Sequence, residues 1–411
     1  MIRILHAGDP EARRLRASAA MPAGVAATVA GIIADVRARG DAAVRELTAR
    51  FDGTRLDSLF LDDARWDVLA EQCPPAVRAA LEMAHQRVRA FHEPQISASY
   101  EQRLPDGGVL RCLTLPLRRA ACYVPGGRAA YPSTVIMTVT VARLAGVPDV
   151  IVATPRVAPE VAAAARIAGA TRILLSGGAQ AVAALAIGTE TVPRVDVIVG
   201  PGNAYVTEAK RQLSGEVRID SLAGPTEVVI VADESADPRA AAADLIAQAE
   251  HDPLALSILV TPSERLAKDV AAALQPTGIA AESLANHGAI VLTRDLDEAL
   301  RFADELAPEH LELLIEDARD AVRKVPHAAA VFVGHHAPVP VGDYLAGPNH
   351  TLPTGGTARF ASPLSASDFV RRQNVIEYGA QQLAADARSI EALAHAEGLH
   401  GHAVAVEVRK K

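Results

Sequence analysis

Two doubly wound α/β modules are what this sequence predicts, and three observations predict them. The chain has 411 residues, more than one ordinary domain holds. Half of the residues are apolar but only 3% are aromatic, so the core must be mostly Ala, Val, Leu and Ile, which suits helices packed on a buried parallel sheet. From residue 120 onward, short apolar runs alternate with helical stretches at the spacing of βαβ units.

The elements follow in order. Residues 24–50 read as one long amphipathic helix and 75–93 as another, with turns at FDGT and at 105–108. The first alternation has strands at 149–153 (DVIVA), 171–176 (TRILLS), 195–199 (VDVIV) and 227–231 (EVVIV), and helices at 133–145, 158–168, 179–188 and 203–213. The second has strands at 256–260, 289–293 and 330–333, flanked by helices at 237–250, 263–274 and 296–306. Residues 340–365, rich in Gly, Pro and Thr, read as a long loop. A helix at about 388–397 and a strand at 403–408 close the chain.

Charge and cysteine content exclude several classes. The net charge of -8 comes from 41 basic and 49 acidic residues, dispersed along the chain, and the short Arg371-Arg372 and Lys410-Lys411 pairs read as solvated surface. No nucleic-acid partner is expected. No apolar stretch has the length of a membrane span, so a soluble, cytoplasmic protein without a membrane partner is expected. Cys73, Cys112 and Cys122 are odd in number, far apart and in no CxxC arrangement. They predict neither a disulfide framework nor a thiolate zinc site, so a metal would need nitrogen and oxygen ligands, as catalytic metals often do.

Three glycine-bearing loops follow expected strands: Tyr123-Val-Pro-Gly126-Gly127, Ser176-Gly177-Gly178-Ala-Gln180 and Gly200-Pro-Gly202-Asn203. The last, with Asp220 twenty residues on, resembles part of a dinucleotide fingerprint, but Tyr205 stands where the third glycine would be. Each loop alone fits a tight strand–helix turn equally well. Together, at carboxyl ends of strands in one module, they point to a nucleotide.

Ten of the thirteen histidines lie beyond residue 250. His287, His327, His335, His336, His395 and His400 read as surface or capping residues. The others have unusual neighbours. Gln248 and His251 are three apart near a helix end, so both heads can reach one ion, although a capping histidine beside a surface glutamine fits as well. Glu309 and His310 set a carboxylate beside an imidazole, suited to two different proton transfers or, equally, to an exposed pair at a helix start. The loop GDYLAGPNHTLPT adds Asp343 and His350, and the tail EGLHGH adds Glu397 and His402. Chemistry alone reaches a zinc-like metal acting on a polar alcohol or on water. A zinc hydrolase would leave the glycine loops unexplained, and a non-catalytic binding protein would leave the Glu309-His310 pair idle.

The segments YVPGG, SGGAQA, VGPGNAYVTEAKRQL, AGPTEV, QAEHD, APEHLEL, GDYLAGPNHTLPT and EGLHGH, in this order over about residues 24–406, resemble the histidinol dehydrogenase family. That resemblance implies two incomplete Rossmann-like modules and an intertwined homodimer. It implies four-electron oxidation of L-histidinol to L-histidine by way of L-histidinal with two NAD, the last step of histidine biosynthesis, with one Zn2+ per subunit. Another small polar alcohol is the alternative substrate. Residue by residue, the resemblance makes Gln248, His251, Asp343 and His402 the metal ligands, and Glu309 and His310 the proton-transfer residues. It makes Thr226, His350 and Glu397 substrate contacts together with the ligands and His310, and Tyr123, Gln180 and Asn203 cofactor contacts. The family has Ser where Thr226 stands, so the hydroxyl is kept and a methyl is added. Glu397 and His402 would serve the partner subunit's site. The chain would then divide into an N-terminal segment (1–18), a first α/β module with the metal and catalytic residues (19–122 and 228–364), a second, NAD-binding module (123–227) and a C-terminal tail (365–411).

Overall fold

The computed structural model describes residues 2–15, 23–126 and 130–410, so Gly127 of the first glycine loop lies outside the described residues. In chain order, strand β1 (Arg3–His6) precedes helices α1 (Val25–Arg39), α2 (Asp41–Phe51), α3 (Asp63–Glu71) and α4 (Pro75–His92). Strands β2 (Tyr100–Arg103), β3 (Val109–Pro116) and β4 (Arg119–Tyr123) follow. Then come α5 (Pro132–Leu144), β5 (Asp149–Ala153), α6 (Pro159–Ala168), β6 (Arg172–Leu174), α7 (Gly178–Ile187), β7 (Val197–Val199), α8 (Ala204–Leu213) and β8 (Arg218–Ile219). The second alternation is β9 (Glu227–Ala232), α9 (Pro238–Ala249), β10 (Leu256–Thr261), α10 (Glu264–Ala273), α11 (Gly278–His287), β11 (Ala289–Leu292), α12 (Leu296–Leu306), β12 (His310–Leu314), α13 (Ala318–Ala321), β13 (Ala330–Val333) and α14 (Val339–Tyr344). Strand β14 (Val370–Glu377) and helices α15 (Ala380–Ala396) and α16 (His400–Glu407) complete it.

The expected α/β architecture is present, with two all-parallel sheets. The five-stranded sheet runs β6-β5-β4-β7-β8. The six-stranded sheet runs β1-β11-β10-β9-β12-β13. Numbered from its own first strand, each βαβ series has the order 3-2-1-4-5, which is a Rossmann sheet short of its sixth strand. The six-stranded sheet gains β1 as an extra edge. The central strands are buried on both faces and read as continuous apolar runs, as parallel strands do. Helices α1, α2, α7 and α8 cover one face of the five-stranded sheet and α3 to α6 the other. Helices α9 to α11 and α12 cover the two faces of the six-stranded sheet. Among the described residues no helix is long and apolar enough to cross a membrane.

Several expectations are corrected. The single helix at 24–50 is two helices, broken at Gly40, whose φ of 53° suits glycine. Glu190 packs against that glycine and accepts a 2.7 Å hydrogen bond from the Asp41 amide, which fixes the break. Residues 403–408 form the helix α16, not a strand: alternate Val residues look like a strand, but this segment docks on α15. Helix α15 starts at Ala380, eight residues earlier than its apolar pattern announces. Strand β12 occupies the stretch that follows Pro308, where a helix start had been one reading of Glu309-His310. An antiparallel sheet, β14-β3-β2, was not anticipated. Helices α1 to α4, expected with the 228–364 segment, pack on the five-stranded sheet instead, and β1 is an edge strand rather than a separate segment.

The two sheets present opposite ends to one another. The carboxyl ends of β4 and β7 and the amino ends of β9, β10 and β12 border one cavity of about 2040 Å³. The loop after β7 is fixed from beneath by a buried ion pair. Lys210 on α8 lies 2.7 Å from the Asp220 carboxylate and donates to the Gly200 carbonyl, while Asp220 accepts from the Gly200 amide at 2.6 Å. Asp220, which its spacing offered as a ribose ligand, is thus consumed in holding the loop.

Candidate active site

Burial of a carboxylate organises the catalytic half of the cavity. Glu309 immediately precedes β12 and is buried. A buried carboxylate needs donors. Its Oε2 accepts from the Thr226 hydroxyl at 2.5 Å and from the Glu227 amide at 2.9 Å. Burial pushes the Glu309 carboxyl above its usual range, against the pull of the His310 imidazole and those two hydrogen bonds. The Thr226 hydroxyl also accepts from the Gln248 side-chain amide at 2.6 Å. That contact orients Gln248, because its Nε2 is used and its Oε1 remains as a donor for a cation.

His310 opens β12 and is buried. Its Nδ1 lies 3.0 Å from the Glu227 backbone carbonyl, which can only accept. Nδ1 therefore carries the proton and Nε2 is left as a base. Phe332 on the neighbouring β13 packs against the imidazole at 6.0 Å between centroids. The same ring fills the space where a side chain at Gly342 would sit, so only glycine fits beside Asp343 there. Phe332 spaces the base from the Asp343 turn.

Glu227 was not singled out from sequence. An acidic residue opening the apolar run EVVIVA was the available signal. Its Oε1 accepts from the Gly355 amide at 2.8 Å and the Glu309 amide at 3.3 Å. Burial and the facing Glu309 charge push its carboxyl up to about 8.

His350 comes from the loop after α14. Its Nδ1 donates to the Asp343 backbone carbonyl at 2.9 Å, and the Thr134 hydroxyl at the start of α5 lies 3.3 Å from Nε2. Burial pulls its imidazole below the ordinary value, so it is neutral. His251, two residues beyond α9, and Asp343, on α14, both line the cavity.

At the other end of the cavity stand Tyr123, Gln180 and Asn203. The Tyr123 hydroxyl accepts from the Gly178 amide at 2.9 Å, and the Gln180 amide faces Asp52 at 3.3 Å. Asn203 caps α8, accepting from the Tyr205 and Val206 amides at 3.1 and 3.2 Å. The glycines are dictated by close approach. A side chain at Gly126 or Gly177 would strike Pro155, and one at Gly200, with φ of 113°, would strike the Tyr123 backbone. The loops therefore lie flat on one another at this end of the cavity, and the Gly178, Tyr205 and Val206 amides at the helix starts are held by Tyr123 and Asn203.

Of the expected site residues, Tyr123, Gln180, Asn203, Thr226, His251, Glu309, His310, Asp343 and His350 meet in this cavity, with Gln248 behind Thr226. Glu397, capping α15, and His402, on α16, do not; both are exposed. The donors available within the chain are one amide oxygen, one imidazole and one carboxylate. Among the described residues no three His, Cys, Asp or Glu side chains converge, and all three cysteines are buried and free. Three N/O donors with room for further ligands fit a catalytic zinc and not a structural one. His327, read as a bland residue, pairs with Asp304 at 2.9 Å.

Known proteins resemble this chain throughout. The histidinol dehydrogenase family profile matches residues 15–410. The histidinol dehydrogenase of a Synechococcus strain is 47% identical over 94% of this chain and 92% of its own. That of Chlorobium luteolum is 46% identical over 100% and 96%. The crystal structure of the histidinol dehydrogenase from Elizabethkingia anophelis superposes with a TM-score of 0.91 at 30% identity, covering 99% of this chain and 98% of that one.

The Thr226 bridge makes a stability prediction. Thr226→Val strands the Gln248 amide and one Glu309 bond, and should cost about 1–3 kcal/mol in thermal or urea unfolding. Thr226→Ser keeps the bridge and should cost about 1 kcal/mol or less. Equal stabilities for the two variants would contradict the bridge.

Proposed function

Because the chain belongs to the histidinol dehydrogenase family, we propose that it carries out the whole four-electron oxidation of L-histidinol to L-histidine, through L-histidinal, as the closing step of histidine biosynthesis. The observation that carries this reading is the Glu309-His310 pair: two bases of different kind, one with a free Nε2, in a cavity whose far wall is a set of phosphate-type loops. Gln248, His251 and Asp343 would hold Zn2+, with His402 of a second copy as the fourth ligand. Tyr123, Gln180 and Asn203 would hold NAD.

When bound, zinc supplies a Lewis acid that fixes and polarises the alcohol oxygen, and NAD supplies the hydride acceptor, once in each of two oxidations. His310 Nε2 takes the hydroxyl proton in the first oxidation. Glu309 then takes a proton from water as the water adds to the aldehyde carbon, while His310 returns its proton to the aldehyde oxygen, which gives the gem-diol and frees Nε2 again. His310 takes the proton of one diol hydroxyl in the second oxidation, and the other becomes part of the carboxylate. A carboxyl raised by burial is a stronger base than an exposed one, which suits this hydration step. Thr226 has one lone pair left after its two hydrogen bonds, enough to accept from a substrate ammonium. His350 and the second copy's tail would grip the polar ends of the substrate, so a simple alcohol would leave them unpaired.

The tail supports a homodimer. Glu397 and His402 are exposed and outside the cavity, and they lie among exposed apolar side chains: Ile376, Leu393, Leu399, Val404 and Val408. A second copy that covers these residues would bring Glu397 and His402 into its own cavity.

His310→Asn should abolish both oxidations. Glu309→Gln should reduce NAD normally in the first half-reaction but slow aldehyde oxidation by about 10²–10⁴. Stopped-flow NADH formation with L-histidinol and L-histidinal separates the steps, and equal slowing of both by Glu309→Gln would contradict the assigned water base. For the tail, Asp343→Ala and His402→Ala should each be inactive alone, yet regain one complete site when co-expressed as a mixed dimer. A mixed dimer that stays inactive would place the tail in its own subunit's site.

A further inference from the structure

One buried acidic pair takes no part in this chemistry. Glu312 sits in the middle of β12 and is wholly buried. Leu311 and Leu313 face the core under α12, so Glu312 shares the opposite face of the strand with His310, on the side of the sheet covered by α9. Its Oε1 accepts from the Val339 amide at 2.8 Å, at the first residue of α14. Its Oε2 is enclosed and meets no N–H or hydroxyl donor, and the Asp244 carboxyl on α9 lies beside the Glu312 side chain. Two carboxylates at that contact cannot both be ionised, so they share one proton.

An apolar pair would fill this space at no desolvation cost, so packing does not explain the acids. What they join does. Asp244 lies one helical turn before Gln248, and His251 follows the same helix. Glu312 lies two residues beyond His310. Val339 lies four residues before Asp343. We propose that Asp244 and Glu312 are positioning residues: their carboxyl–carboxylate hydrogen bond, with the Val339 amide, locks α9, β12 and α14 together so that Gln248, His251 and Asp343 converge on one cation beside His310. The inference rests on the reading of those three residues as metal ligands.

The shared proton has a signature that needs no metal. Burial and the Asp244 charge push Glu312 up to about 8, and Asp244 is raised as well. The folded protein therefore holds a proton that the unfolded chain has lost, so stability falls as pH rises between the ordinary carboxyl value and about 8. The titratable and charged groups on the elements around the pair are Glu227 on β9, Glu309 and His310 at the head of β12, Asp343 and Tyr344 on α14, Arg239 on α9, and Glu264, Arg265, Lys268, Asp269, Glu282 and His287 on α10 and α11, which pack on α9; β13 brings none. Glu227 adds a slope of the same sign, so the quantity read is the difference between wild type and variant.

Two variants test the pair. Glu312→Gln keeps the Val339 bond and supplies a permanent N–H to Asp244. Glu312→Leu keeps the volume and loses both bonds. The melting temperature of metal-free protein is followed against pH, and zinc affinity is measured by chelator competition. Glu312→Gln should flatten the decline toward alkaline pH and bind zinc as wild type does. Glu312→Leu should remain folded and bind zinc about 10–100-fold more weakly, the size of effect expected for groups that orient metal ligands. Wild-type zinc affinity in Glu312→Leu would overturn the positioning role. A pH slope in wild type equal to that of Glu312→Gln would overturn the shared proton. If wild type itself bound no zinc while the slopes differed, the metal-site reading would fall and the pair would stand only as a structural lock.

Discussion

The hydrogen-bonded burial of one carboxylate, Glu309, sets the rest of this site. Out of water, its charge demands donors, and the donors come from three strands earlier in sequence but next door in the sheet: the Thr226 hydroxyl and the Glu227 amide at the head of β9. Satisfying it aligns the starts of β9 and β12. That alignment puts the Glu227 carbonyl under His310 Nδ1 and so selects the tautomer with a free Nε2. It also occupies the Thr226 hydroxyl so that this hydroxyl accepts from the Gln248 side-chain amide. One desolvation requirement thus orients a base, a second base and a metal-ligand candidate.

The placement of the site follows from how the two sheets face. Ligands in open parallel sheets bind beyond the carboxyl ends of strands, at the point where strand order reverses. The five-stranded sheet obeys this at β4 and β7. The six-stranded sheet offers its amino ends to the same cavity, with Thr226, Glu309 and His310 at the heads of β9 and β12. The glycine-loop end and the Glu309-His310 end then share one space without either module having to supply both. The glycine loops of the first end are packed by collision limits against Pro155 and Tyr123.

The fold was legible where strands are buried on both faces. DVIVA and EVVIV announce themselves as continuous apolar runs, and their spacing announces βαβ units. It was illegible where a tertiary contact decides. Gly40 breaks a helix because Glu190 fixes the break, and HAVAVE is helical because α15 offers a surface. Strand β12 was hidden because HLELL carries a buried base and a buried acid in the place of apolar residues. The same property hid the site's supporting shell. Glu227 and Glu312 look like ordinary strand residues until their amide partners, Gly355 and Val339, arrive from more than twenty residues away. The first-rank residues were legible through motif resemblance, and the structure gathers most of them. Glu397 and His402 stay apart from the others, exposed at the end of α15 and on α16.

The proposed chemistry has one site, with His310 and Glu309 as its bases, perform both oxidations before product leaves. The direct measurement is the stoichiometry of NADH formed per L-histidinol consumed by zinc-loaded protein, with the product identified. Both oxidations in one site should yield two NADH and L-histidine, with no free aldehyde trapped by added hydrazine. One NADH with trapped L-histidinal, or no turnover by folded, zinc-loaded protein, would contradict it.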